Sequence, residues 1–83
     1  MEQMVYSPKS LGMAIQRQRR AKKLNQEEAG KPFKIVQSTI STVEQGFPGT
    51  QISTLFRVLA ALDLEMIIRS KESSKKAKDD KDW

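Results

Sequence analysis

The sequence predicts an all-α fold: four to five short helices built around a helix-turn-helix, one short C-terminal strand, then a charged tail. Three observations carry this. Apolar residues recur at helical spacing through four segments, each bounded by a capping or breaking residue. The one departure is "LEMIIR" (64–69), where period two takes over. Finally, "QSTISTVEQ" (37–45) backs a buried face with short hydrogen-bonding side chains, where a merely solvated helix usually carries Lys and Glu.

The first helix starts at "YSPKSL". Ser7 is a good N-cap, Pro8 suits the first helical position, and Tyr6 can staple onto Leu11. Leu11, Ala14 and Ile15 form its buried face, the helix runs to about Lys22, and Arg17, Arg20 and Lys23 stay mostly outside. "LNQEEAG" opens the second: Asn25 caps it, Glu28 takes the capping-box position, and Glu27 and Glu28 suit the positive end of the dipole. Pro32 keeps this helix short or kinks it, because its ring disfavours α geometry at Lys31 and removes a backbone donor. After a turn from Phe33 to Val36, the third helix runs from Gln37 to about Gln45 and stops at "GFPG". Thr50 caps the fourth, with Ile52, Leu55, Leu59 and Leu62 along one side. With Leu11, Ile15, Leu24, Phe33, Ile35, Ile40 and Val43, that row makes the expected core.

"LEMIIR" alternates Leu64, Met66 and Ile68 with Glu65, Ile67 and Arg69, so it reads as a strand. The chain holds no second strand, and a lone apolar strand exposes unpaired backbone on both edges. A second copy related by a two-fold axis resolves this, so a homodimer is expected, with Leu64, Met66, Ile67 and Ile68 at its interface. The competing reading extends the fourth helix through 64–69. Residues 70–83 are mostly Lys, Ser and Asp and are expected to be disordered, because they bury too little to offset their ordering entropy. The division is therefore a helix-turn-helix domain over 1–63, a dimerisation strand over 64–69, and a tail over 70–83 ending in Trp83. That tryptophan is either inconsequential or an anchor for another protein.

Composition narrows the function. The 83 residues make one small domain with no cysteine and no histidine, which removes disulfides, thiolate metal sites and the commonest general acid/base. Glu27 and Glu28 are adjacent and point about 100° apart on a helix, so they cannot flank one bond. No enzyme, metal or cofactor is expected. With no signal peptide and no apolar run near the ~20 residues of a membrane span, the expected location is the cytoplasm, in association with the nucleoid. The net charge is +5, and its excess lies between Lys9 and Lys34, where Arg17, Arg19, Arg20, Lys22, Lys23 and Lys31 add to the ends against only Glu27 and Glu28. A localised basic surface suits a polyanion, nucleic acid before membrane. Arg17, Arg20, Lys22 and Lys23 either meet phosphate or are simply solvated.

Two short helices joined by a tight turn, the second with small polar residues outward, have the shape of a helix-turn-helix, whose second helix enters the major groove. Gln bonds adenine bidentately, Ser serves several bases, and a small apolar group packs on a thymine methyl. Gln37, Ser38 and Ser41 share one face near the start of the third helix. Over about 11–62, "LNQEEAG…TISTVEQG" resembles the lambda-repressor/Cro-like (XRE-type) helix-turn-helix signature. A narrower resemblance, to the HipB antitoxins, rests on "YSPKSL", "VQSTIS", "LEMIIR" and a lysine-rich tail ending in Trp.

That resemblance implies a dimer with paired C-terminal strands that represses its own operon and binds a HipA-type kinase toxin. It implies base contacts from Gln37, Ser38 and Ser41 with Val36 beside them, and a phosphate contact from Gln26, to which Lys34 and Thr42 are added. Arg19 would pair with Glu44 as a structural bridge, and Trp83 would reach the toxin. The DNA partner would be a double-stranded inverted-repeat operator. Lys34 stands where the family often has Gly, a turn position that can demand positive φ. The alternative function is a protein-interaction or inhibitor module with weak or non-specific DNA binding.

Overall fold

Where each of these short helices starts and stops is set by hydrogen bonds at its ends. The computed structural model describes residues 2–71; the expectations for the tail beyond 71, Trp83 included, lie outside them. Helix α1 spans Pro8–Ala21, α2 Gln26–Gly30, α3 Gln37–Glu44 and α4 Ile52–Ala61. A 3-10 turn, Lys31–Phe33, continues α2, as Pro32 requires.

Two N-termini are closed by reciprocal capping. Ser7 Oγ accepts from the Ser10 N–H at 3.0 Å, and Ser10 Oγ accepts from the Ser7 N–H at 3.1 Å. Asn25 Oδ1 accepts from the Glu28 N–H at 2.7 Å while Glu28 Oε1 accepts from the Asn25 N–H at 2.8 Å. Each such cap contributes about 1 kcal/mol. Thr50 does not cap α4. Gln51 holds the N-cap position without a side-chain bond, and the Thr50 hydroxyl instead donates to Phe47 O at 3.1 Å.

The C-termini share one device. After α1, α3, α4 and the 3-10 turn, a residue with positive φ turns the chain, and two reversed backbone bonds satisfy the last carbonyls. In α3 the Phe47 N–H reaches Thr42 O at 3.3 Å and the Gly46 N–H reaches Val43 O at 3.0 Å. Gly46 sits at φ +83°, and a Cβ there would meet Lys9 Cα at 2.6 Å, so glycine is required twice over. The other three turns place Lys23, Lys34 and Asp63 at φ 58–60°. A side chain in this region costs on the order of 1 kcal/mol relative to glycine. Lys34→Gly or Lys23→Gly is therefore expected to raise stability by about 0.5–1 kcal/mol, read as a higher urea midpoint. A lower midpoint would mean that the lysine side chains make contacts worth more than the strain.

The core lies between α1, α3 and α4, with α2 packed on α3. Ile15, Ile40, Val58 and Leu62 are fully buried, each contributing roughly 1.5–3 kcal/mol. Leu11, Leu24, Leu55 and Leu64 pack around them. Two expected members are outside it: Phe33 is 42% exposed and Ile52 69%. Ile52 opens α4 and overhangs the end of the core, while Val58, one turn past Leu55, takes the inward position. At Gly12 the backbones of α1 and α3 touch, since a Cβ there would come within 2.6 Å of Val43 O.

Residues 64–70 form neither helix nor strand in the single chain, so α4 does not extend through "LEMIIR"; the strand expected there is one that pairs with a second copy. A strand is defined by its ladder, and within the described residues this segment has nothing to ladder with. Leu64 is tied down by its N–H to Leu59 O at 2.8 Å and packs on the core. The rest runs back beside the N-terminal arm, where the Lys71 ammonium lies 5.0 Å over the Tyr6 ring. Met66, Ile67 and Ile68 are 47%, 65% and 90% exposed. Among the described residues, no helix is long and apolar enough to cross a membrane.

Candidate nucleic-acid interface

Helix α3 is held from behind and open in front. Ile40 and Val43 anchor it in the core, and Gln37, Ser38, Thr42 and Gln45 face outward with Ser41 half-buried beside them. Val36, at its N-cap, is 63% exposed and offers no capping side chain, so the first amides of α3 stay open at the positive end of the helix. The predicted contact residues Gln37, Ser38, Ser41 and Thr42 thus lie on one short helix, with Val36 at its N-cap. Two hydroxyls are already engaged: Thr42 Oγ1 donates to Ser38 O at 2.8 Å, and Ser41 Oγ accepts from Gln45 Nε2 at 3.0 Å, which leaves its own hydrogen to donate. Lys34 ends the turn immediately before α3, exposed and left-handed.

Behind the face stands a buried polar group. Arg19 on α1 and Glu44 on α3 form the expected ion pair, Nε to Oε2 at 2.5 Å and the second guanidinium nitrogen to Oε1 at 3.0 Å. Their side chains are 9% and 2% exposed. The remaining guanidinium nitrogen donates to Leu24 O at 2.8 Å, closing the α1–α2 connection. Burial pushes the Glu44 carboxyl up, but the Arg19 and Gln26 hydrogen bonds, the Arg19 charge and the Gln16 amide outweigh it, so the group titrates below its ordinary value. The bond to Glu44 holds Arg19 above its own.

The link between pair and face is Gln26. Its Nε2 donates to Glu44 Oε1 at 3.1 Å, and its Oε1 accepts from Gln37 Nε2 at 2.8 Å. Sequence reasoning assigned Gln26 to phosphate and missed this bridge. It also missed Gln16, which donates to Glu44 Oε1 at 3.5 Å, and Arg57, which donates to Phe33 O at 2.7 Å and ties α4 to the turn. Spacing within a helix cannot reveal these partners, because they lie 11 to 28 positions apart on different elements.

Helices α1 to α4, a left-handed turn between α2 and α3, and an α3 whose exposed face is short and polar define a helix-turn-helix domain among the described residues. The chain is 33% identical over 81 residues to Antitoxin HipB of Escherichia coli O6:H1, covering 96% of this chain and 86% of that protein. Antitoxin HipB of Escherichia coli K12 is 35% identical over 66 residues, 80% of this chain and 75% of that one. The fold overlays the HipB-O4 20mer complex with a TM-score of 0.79 at 33% identity, covering 84% of this chain and 99% of that one. It overlays the HipA-HipB-O2-O3 complex at 0.78, with the same identity and coverage. No family model matches the sequence. The chain belongs to the HipB antitoxin family.

Proposed function

We propose that this chain is a sequence-specific repressor of its own operon and the antitoxin of a HipA-type kinase toxin, acting in the cytoplasm as a homodimer. The observation that carries this is the polar front of α3, with Gln37 clamped by Gln26, on a member of a family seen in complex with 20mers and with HipA. On this reading α3 enters the major groove. Gln37, Ser38 and Ser41 meet base edges, and Val36 packs beside them on a thymine methyl. Gln26 uses the second hydrogen of its amide on a phosphate, with Lys34 and Thr42 flanking it. Two copies place their α3 helices in successive grooves about one helical turn, ~34 Å, apart on an inverted repeat. Bound there, the dimer excludes polymerase, and lysines and arginines supply salt-dependent affinity. Trp83 is assigned to the kinase.

The test is binding to the duplex upstream of the chain's own gene against a scrambled duplex of equal length, at two salt concentrations. A specificity ratio of about 10³ or more, with affinity falling steeply in salt, is expected. Gln37→Ala is expected to cost roughly 1–3 kcal/mol on the specific duplex and little on the scrambled one. A chain ending at residue 82 is expected to match wild type here. Equal, weak binding of both duplexes would favour the partner-binding module instead.

A further inference from the structure

Gln37 carries both a carbonyl and an amino group, and which of them faces the DNA decides which base it fits. An amide presenting one C=O and one N–H outward matches adenine, which offers an N6 donor beside an N7 acceptor. The same amide flipped end for end presents two N–H groups, which match the O6 and N7 acceptors of guanine. Exposed glutamines flip freely. This one is not free: its Nε2 is committed to Gln26 Oε1 at 2.8 Å.

The commitment begins in the core. Glu44, ionised against Arg19, has only acceptors to offer. Gln26 must therefore turn its Nε2 inward, at 3.1 Å from Glu44 Oε1, and that leaves its carbonyl facing outward. An outward carbonyl takes only a donor, so Gln37 turns its own Nε2 inward as well. One nitrogen hydrogen and Oε1 of Gln37 remain for the groove. We infer that Glu44 is a positioning residue for base choice: through Gln26 it sets the amide polarity of Gln37 and makes that side chain select adenine over guanine.

The inference rests on the repressor reading above and deepens it. A purely structural Glu44–Gln26 contact would affect how much folded protein there is, and so all duplexes alike. A polarity relay affects the ratio between bases and has a signature no stability effect imitates: it reverses when the middle group changes sign. Gln26→Lys replaces the amide with a group that only donates. Its ammonium satisfies Glu44 from one side and requires the carbonyl of Gln37 from the other, turning the Gln37 amino group outward. Gln26→Met removes the relay and leaves the Arg19–Glu44 pair in place.

The experiment selects duplexes from a randomised pool with the full-length wild-type chain. The position whose preference disappears in Gln37→Ala is then identified, and adenine and guanine versions of that duplex are titrated with each variant. Wild type is expected to prefer adenine by on the order of tenfold or more. The preference should shrink toward unity in Gln26→Met and invert to guanine in Gln26→Lys, with thermal unfolding used to correct for the folded fraction. An unchanged adenine-to-guanine ratio in both Gln26 variants overturns the relay while leaving the repressor reading intact. A wild-type chain that selects no sequence at all removes both.

Discussion

Glu44→Gln is expected to lower the stability of this domain by about 3–5 kcal/mol, the usual cost of removing one member of a buried ion pair. The reason is geometric. Arg19 is enclosed beside Glu44, and two of its three nitrogens are satisfied by that carboxylate alone. Losing the charge leaves a buried cation facing a neutral amide. In a small domain whose total stability is on the order of 5–15 kcal/mol, such a loss is a large share. Replacing both members with apolar residues, Arg19→Met with Glu44→Leu, should recover much of it, because desolvation of the two charges is then no longer required. Urea unfolding of the three variants measures this, and a midpoint for Glu44→Gln equal to wild type would remove the claim.

The same pair sets the response to acid. Folding lowers the titration point of Glu44, so its contribution is fully present above the unfolded carboxylate value of about 4.3. It is lost as pH falls through the lower folded value. Wild type should therefore lose urea resistance more steeply than Glu44→Gln once the pH drops below about 4. Parallel profiles for the two chains would show that the pair is not what acid breaks.

Ile67→Lys combined with Ile68→Lys is expected to yield a monomer with an operator affinity lower by ~10²-fold or more, since two linked half-site contacts become one. These two side chains are 65% and 90% exposed in the single chain, so the change disturbs little within the domain. Thermal unfolding of the dilute monomer should match that of a wild-type monomer. Covering two isoleucines in a dimer contributes roughly 1.5–3 kcal/mol apiece per subunit, and two lysines facing their symmetry mates reverse its sign. Light scattering reads the result directly: an unchanged dimer mass would rule out 64–69 as the pairing segment.

Much of the fold was legible because its signals are local. Ser7–Pro8, Asn25 with Glu28, Pro32 and "GFPG" each act within one turn of the residues that carry them, and the observed helix limits follow them closely. The polar front of α3 was equally plain, since Ile40 and Val43 on one side leave Gln37 and Ser41 for the other. Where a cap was read from residue type alone, at Thr50, a nearby carbonyl of the preceding turn won its hydroxyl. Periodicity also placed Ile52 in a core that begins a turn later, because spacing marks a face without saying where along it the neighbours end.

What the sequence by itself determined, then, was the order and limits of the helices through α4, the turn that joins α2 to α3, and which side chains of α3 face away from the core. Those follow from capping, ring geometry and the 3.6-residue period, all short-range causes. Only the tertiary structure decided that Glu44 gathers Arg19, Gln16 and Gln26 from two other helices, and that Gln26 passes its orientation on to Gln37. It also decided that Lys23 and Asp63 are held left-handed, as Lys34 is at the turn position already marked for it. A hydrogen bond between distant positions forms only after apolar packing has brought their helices together, and a strained φ persists only where the surrounding contacts offset it.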